Sequence, residues 1–294
     1  MKVMVIVNPR AGKMKSKSAL FDIAETICAA GHEPMVQITA KKEDGVLFAK
    51  KAVAEEYDLV VCCGGDGTLN EVISGVIDSG GEIPVGYIPA GSTNDFAKTL
   101  GLSPIPKKAA QAVMEGTPTL IDAGKFGDDR YFTYIASFGI FTAASYNTLQ
   151  STKNVMGHMA YVLEGIRDIG VVKPYHVKVT SEGKVYEGDY IFGGVTNSTS
   201  VGGIVKLEKR LVDISDGLFE VVLVKNPRDV SELGRILMGI ANSDLSDSMF
   251  EFFKSPEVTF ESDEEFSWAI DGEEASPGKK VTIKNVKGAI KLLR

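Results

Sequence analysis

From Lys2 to Gly101 the apolar residues fall into two alternating rhythms. Continuous runs, KVMVIV (2–7), PMVQIT (34–39), DLVVCC (58–63) and VGYIP (85–89), read as strands. Between them lie helical spacings. Leu20, Ile23, Ala24 and Ile27 form one stripe, stopped by Gly31, and Val46, Ala49 and Val53 mark a second. Leu69, Val72, Ile73, Val76 and Ile77 follow the i, i+3, i+4, i+7, i+8 stripe of a buried helix. NDFAKTLG is a short helix ending at Gly101. Strands that are apolar on both faces and alternate with helices predict a parallel sheet covered by helices.

From about Thr119 the pattern changes to strands joined by turns: LIDAGKF, YFTYIASF, YHVKVTSEGKVYEGDYIFGGV, LFEVVLV, EVTFES, EFSWAID and KKVTIKNV. SEGK (181–184) is a hairpin signal between two alternating runs. Helical stretches interrupt at about 153–169 and 229–253. This half reads as antiparallel, a sandwich or an open barrel. The expected fold class is α/β plus β. An N-terminal parallel-sheet domain covers residues 1–122, and a C-terminal β-sandwich-like domain covers 123–294, its last strand packing back on the first domain.

Composition narrows the partners. The 294 residues are 44% hydrophobic and 24% charged, the mix of a soluble globular chain. No apolar run reaches the roughly 18–20 residues of a membrane span, and KVMVIVN is too short for a signal segment. Any membrane contact is therefore expected at the surface. A net charge of -7 argues against nucleic acid as a partner. The densest basic stretch is RAGKMKSK (10–17). Cys28, Cys62 and Cys63 give no disulfide framework and fit a reducing cytoplasm. His32, His158 and His176 are scattered and form no ligand cluster.

The chemistry concentrates in glycine-rich turns. In CCGGDGTLNEVISG (62–75), Gly64, Gly65 and Gly67 let backbone N–H groups approach a ligand, and the helix that follows turns its positive end toward an anion. Asp66 repels a bare phosphate, so it suggests a cation or a sugar hydroxyl. Neither the GxxxxGK[ST] loop nor the GxGxxG fingerprint is present. Taken alone, the stretch also fits a tight strand-to-helix turn with Asp66 as a cap. Two further turns, VNPRAGK (7–13) and IPAGSTNDFAKTLG (88–101), also follow strands of the same sheet. Open α/β sheets place ligands at these carboxyl ends.

VNPRAGK, GGDGTLNEV and PAGSTNDFA, followed by IDGE near the C-terminus, resemble the diacylglycerol kinase catalytic-domain family, and more narrowly the small soluble bacterial lipid kinases. GGDGT alone is shared with NAD kinases and phosphofructokinases, so the pairing with GSTNDFA carries the distinction. The resemblance implies an NAD kinase/diacylglycerol kinase-like nucleotide-binding domain. It also implies ATP and Mg²⁺ as cofactors and transfer of the γ-phosphate to the hydroxyl of diacylglycerol, giving phosphatidic acid for phospholipid metabolism.

Residue by residue, the resemblance places Gly65, Asp66, Gly67, Thr68, Leu69, Asn70 and Glu71 around the nucleotide. Ser92 stands where the family's second turn usually has Thr, and Thr39 ends the second strand at a nucleotide-contacting position. Glu273 of IDGEEA is the implied general base, with Asp66 orienting nucleotide or metal. IDGE by itself also fits a plain type I′ hairpin turn. LVDISDGLFEVVLV resembles the family's metal segment, which implies Mg²⁺ at Asp213, Asp216 and the Leu218 carbonyl; by spacing alone it also fits a turn entering a strand. The implied partner is a lipid at the inner membrane face, met peripherally; separately, the basic charge of Arg10–Lys17 beside the predicted site is expected to touch anionic headgroups. A free sheet edge is compatible with a homodimer. Rival readings are kinases for a sphingoid base or a polyprenol, an NAD kinase, and a nucleotide-binding regulator without catalysis.

Overall fold

The computed structural model describes residues 1–92, 94–140, 174–201 and 205–294. The chain divides into two compact units: Met1–Ala123 with Val286–Arg294, and Gly124–Asn285.

In the first unit, β1 (Lys2–Val7), β2 (Glu33–Ile38), β3 (Leu59–Gly64) and β4 (Val85–Pro89) alternate with α1 (Lys15–Ala29), α2 (Asp44–Ala54) and α3 (Asp66–Asp78). Helices α4 (Asp95–Leu100) and α5 (Pro106–Glu115) follow, then β5 (Pro118–Phe126), which runs into the second unit. The sheet order is β2-β1-β3-β4, and all these neighbours are parallel. Val3, Val5, Val61 and Ile88 meet Ile23 and Ile27 of α1 and Val113 of α5 in one core. Met4, Ile6, Val60 and Cys62 alternate with them and are equally buried, as a strand covered on both faces requires. The register sets Val7 opposite both Ile38 and Cys63, and Gly64 opposite Pro89. The strand ends are therefore flush, and the turns that follow them emerge along one edge.

The second unit is antiparallel. It contains β6 (Arg130–Phe132), β7 (Ile135–Gly139), β8 (Tyr175–Ser181), β9 (Lys184–Thr196), β10 (Ser200–Val201), β11 (Val205–Lys206) and β12 (Phe219–Lys225). Then come α6 (Val230–Asn242), β13 (Phe250–Ser255), β14 (Glu257–Ser262), β15 (Trp268–Ile270), β16 (Glu273–Ala275) and β17 (Lys280–Leu293), which ends in the first unit. The order is β16-β15-β7-β9-β8-β14-β17, with β12 also on β9 and β13 on β12. SEGK turns as read: Glu182 and Gly183 have φ of 47° and 80°, a two-residue turn between β8 and β9. Trp268 anchors an aromatic core, with Phe138 and Phe260 ring centroids each 5.0 Å away.

Three stretches differ from the sequence reading. The helix expected over 229–253 stops at Asn242, where Ser243 takes a left-handed φ of 55°, and FEFFKS becomes strand β13. Its closely spaced aromatics suit a pleated surface better than a helix. YFTYIASF is broken into β6 and β7 at Thr133–Tyr134. Helix α5 has too faint an apolar stripe to stand out in the sequence, its buried residues being only Ala109, Ala110 and Val113. The helix expected at about 153–169 lies outside the described residues.

Candidate active site

In the first unit three strand-end turns touch one another. Gly12, at φ +52°, lies so close to the next turn that a Cβ there would sit 2.0 Å from the Ala90 carbonyl oxygen. A Cβ on Gly91 would sit 2.6 Å from the Gly65 Cα. Only glycine permits such backbone contact, and positive φ adds to the requirement at Gly12. The turns after β1, β3 and β4, separate in sequence, thus form one surface.

Side chains of GGDGTLNE hold this surface together. Half-buried Asp66 accepts from Asp95 N at 3.0 Å and Phe96 N at 3.4 Å, and from the Tyr87 hydroxyl at 3.4 Å. It therefore caps α4. Burial pushes its carboxyl above the usual range, while the Asp95 and Phe96 amides pull the other way. Thr68 Oγ1 accepts from Asn8 Nδ2 at 2.9 Å, tying the β1 turn to α3. Glu71 accepts from Glu43 N and Gly45 N, both at 3.0 Å, at the start of α2. Asp66, Thr68 and Glu71 thus hold three different turns, those after β4, β1 and β2.

The other residues of the motif contribute differently. Leu69 is fully buried in the core, so only its backbone can face a ligand. Asn70 pairs with the Ser74 hydroxyl at 3.5 Å. A Cβ added at Gly67 would meet nothing within 4 Å. In the β4 turn Ser92 is exposed, and Asn94 bonds Gly91 through both amide atoms at 2.9 Å. Thr39 is buried, its N–H donating to the Val7 carbonyl at 2.9 Å. Two residues missing from the sequence reading, Asn8 and Tyr87, complete the network. Asn8 lies in the quoted VNPRAGK turn, but nothing local marks its partner.

In the second unit IDGE forms the hairpin between β15 and β16, with Asp271 and Gly272 at φ of 47° and 88°. The turn is also an anchor. Buried Asp271 accepts from Thr133 N at 2.6 Å, Thr133 Oγ1 at 2.8 Å, Ile135 N at 3.0 Å and Tyr134 N at 3.1 Å. Burial pushes its carboxyl up to about 6 against the pull of those donors. Glu273, half-buried, opens β16, and the Arg130 guanidinium stands 3.7 Å from its carboxylate. Arg130 also donates to the Glu274 carbonyl at 3.1 Å. Sequence reasoning missed Asp271 and Arg130.

The predicted metal segment is a pair of Asx turns. Asp213 accepts from Ser215 N at 3.0 Å, and Asp216 from Leu218 N at 2.9 Å. The oxygen donors match a hard cation in kind, but the Lys254 ammonium already stands 3.2 Å from the second Asp216 oxygen. Among the described residues no three His, Cys, Asp or Glu side chains gather as a metal-binding group. The side chains of Lys13, Lys15 and Lys17, expected at lipid headgroups, lie outside what is described.

Comparison with known proteins supplies the family. The diacylglycerol kinase catalytic domain matches residues 2–126, and the YegS C-terminal NAD kinase beta sandwich-like domain matches residues 135–294. A diacylglycerol kinase of Bacillus subtilis (strain 168) is 31% identical over 285 residues, 95% of this chain and 92% of its own. One from Staphylococcus aureus (strain bovine RF122 / ET3-1) is 33% identical over 261 residues, 87% of this chain and 78% of its own. A crystal structure of a diacylglycerol kinase from Bacillus anthracis str. Sterne shares the fold with a TM-score of 0.75 at 22% identity, covering 99% of this chain and 96% of its own. With both halves matched in order, the chain belongs to the diacylglycerol kinase family.

Proposed function

We propose that this protein is an ATP-dependent lipid kinase that phosphorylates diacylglycerol to phosphatidic acid. The observation that supports it most is the backbone contact of the β1, β3 and β4 turns at the carboxyl edge of the parallel sheet. Such an edge suits a polyphosphate, which needs N–H donors more than side-chain charge. Gly65, Gly67, Thr68, Leu69, Asn70, Ser92 and Thr39 surround the nucleotide in this reading, and Asp66 and Glu71 set the turns they belong to. Bound Mg·ATP supplies the γ-phosphoryl group, and Asp213, Asp216 and the Leu218 carbonyl are the candidate cation ligands. Glu273 takes the proton from the lipid hydroxyl as that oxygen bonds to the γ-phosphorus and the bond to ADP breaks. Arg130 keeps the Glu273 carboxylate oriented. No helix among the described residues is long and apolar enough to cross a membrane, and the lipid is met peripherally, with Arg10–Lys17 toward anionic headgroups.

The test is transfer from γ-labelled ATP with Mg²⁺ into mixed micelles of diacylglycerol, a sphingoid base or undecaprenol, with NAD as a soluble acceptor. Label enters diacylglycerol and falls by roughly a hundredfold or more in Glu273→Ala, the scale of a lost general base. Charge reversal at Lys13, Lys15 and Lys17 lowers the rate on anionic micelles more than on neutral ones. Label in another lipid moves the substrate within the same chemistry. Label in NAD, or in no acceptor, overturns the reading.

A further inference from the structure

One turn of the sheet edge is held by a side chain delivered from another element. The β2–α2 turn, Thr39 to Gly45, precedes a helix whose cap residue, Glu43, has a left-handed φ of 71° and makes no side-chain cap bond. Two carboxylates satisfy its backbone donors instead. Asp44 accepts from Ala40 N at 2.7 Å and Lys41 N at 2.9 Å, within the turn. Glu71, on α3, accepts from Glu43 N and Gly45 N at 3.0 Å each, one oxygen per donor. The fit leaves no room: a Cβ on Gly45 would lie 2.7 Å from Glu71 Oε2 and 2.8 Å from its Cβ.

We infer that Glu71 is a positioning residue for the nucleotide. It does not touch the nucleotide but fixes the Thr39–Gly45 turn against α3, the helix whose own first turn carries Asp66 and Thr68. One short helix then sets all three flanking turns at once. Both Glu71 oxygens are already occupied by backbone N–H groups, and the charge faces the positive end of α2, where it is stabilising rather than repelling a phosphate. The inference rests on the nucleotide site proposed above.

The experiment uses the full chain as wild type, Glu71→Gln and Gly45→Ala, reading ATP affinity by calorimetry, steady-state KM and kcat, and amide exchange over residues 39–46. Glutamine keeps one acceptor but turns an NH₂ toward the second N–H. Its expected effect is about a tenfold loss of ATP affinity and a matching rise in KM, the scale of one charged hydrogen bond. The expected change in kcat is under about threefold, and the Glu43 and Gly45 amides exchange faster. Gly45→Ala pushes the same carboxylate away without removing its charge and gives the same pattern, which covers the case of a poorly folding Glu71→Gln. Faster exchange with unchanged ATP affinity would reduce Glu71 to a cap for α2 and overturn the inference, as would unchanged exchange. A wild-type chain that binds no ATP overturns the kinase reading and this inference together; wild-type binding with an indifferent Glu71→Gln overturns only this one.

Discussion

Glu220 is a fully buried carboxylate on β12, two positions after the candidate metal segment. Its cross-strand neighbour Lys254 stands 3.1 Å from Oε1 and shares its charge with Asp216 at 3.2 Å. One cation thus serves two acids. Burial pushes the Glu220 carboxyl up from 4.5 to about 7, with Lys254 pulling it down and Asp216 pushing it up. The folded chain therefore binds a proton there that the unfolded chain releases. Stability from the neutral form is full below about 4.5 and is lost as pH rises toward 7, an upper bound of about 3 kcal/mol. Glu220→Gln should flatten that window: the wild-type melting temperature falls from pH 5 to pH 8 more steeply than the variant's. Parallel curves would show that Glu220 stays ionised throughout. Lys254→Met should push the Glu220 carboxyl further up and cost most above pH 7, where it leaves a buried carboxylate without its cation. None of this is legible in DGLFEVV, where alternation alone cannot say which face of β12 is closed.

Helix α3 carries one glycine that packing requires and one that packing does not. Gly75 packs on α2, where a Cβ would sit 2.5 Å from the Val46 carbonyl oxygen and 2.8 Å from the Ala49 Cβ. Gly75→Ala must move backbone, and an overpacking cost of about 1–3 kcal/mol is expected. Gly67 has no such neighbour and needs no positive φ. Gly67→Ala should leave the melting temperature unchanged or raise stability by up to about 1 kcal/mol through helix propensity. If the turn receives a nucleotide, the same change weakens ATP binding. A Gly67→Ala chain that binds ATP as tightly as wild type would remove Gly67 from the site. Both glycines sit in one quoted motif, and the stripe Leu69, Val72, Ile73, Val76 located the helix around them. The helix was legible because its apolar period is strong. The partners of Asp66 and Glu71 were not, since they lie on turns 29 and 26 residues away in the chain. Weakly apolar α5 and aromatic β13 escaped for the opposite reason, a pattern too faint or compatible with either period.

At the scale of the molecule, the first unit is completed by the end of the chain. Residues 286–294 belong to it, although the C-terminal family domain, matched over 135–294, includes them by sequence. The reason is the destination of β17. Leu292 and Leu293 pair in parallel with Val85 and Gly86 of β4, and Gly288 N donates to buried Asp122 at 2.7 Å. Ile290, Leu292 and Leu293 are 3%, 0% and 9% exposed. Burying each aliphatic side chain contributes about 1.5–3 kcal/mol, so the three together, about 4.5–9 kcal/mol, overlap the lower half of a whole domain's stability of about 5–15 kcal/mol. The Lys291–Glu82 ion pair at 2.6 Å adds little, being largely exposed. A chain ending at Asn285 keeps every residue proposed to touch nucleotide, yet it uncovers the edge of β4, the strand that leads into the Ser92 turn. Such a chain should lose protease resistance in residues 1–123 and lose ATP binding with it, while the second unit keeps its aromatic core and its near-ultraviolet signal from Trp268. Retained ATP affinity and an unchanged digestion pattern would mean that the N-terminal segment folds unaided, and that the last strand only decorates a sheet already stable without it.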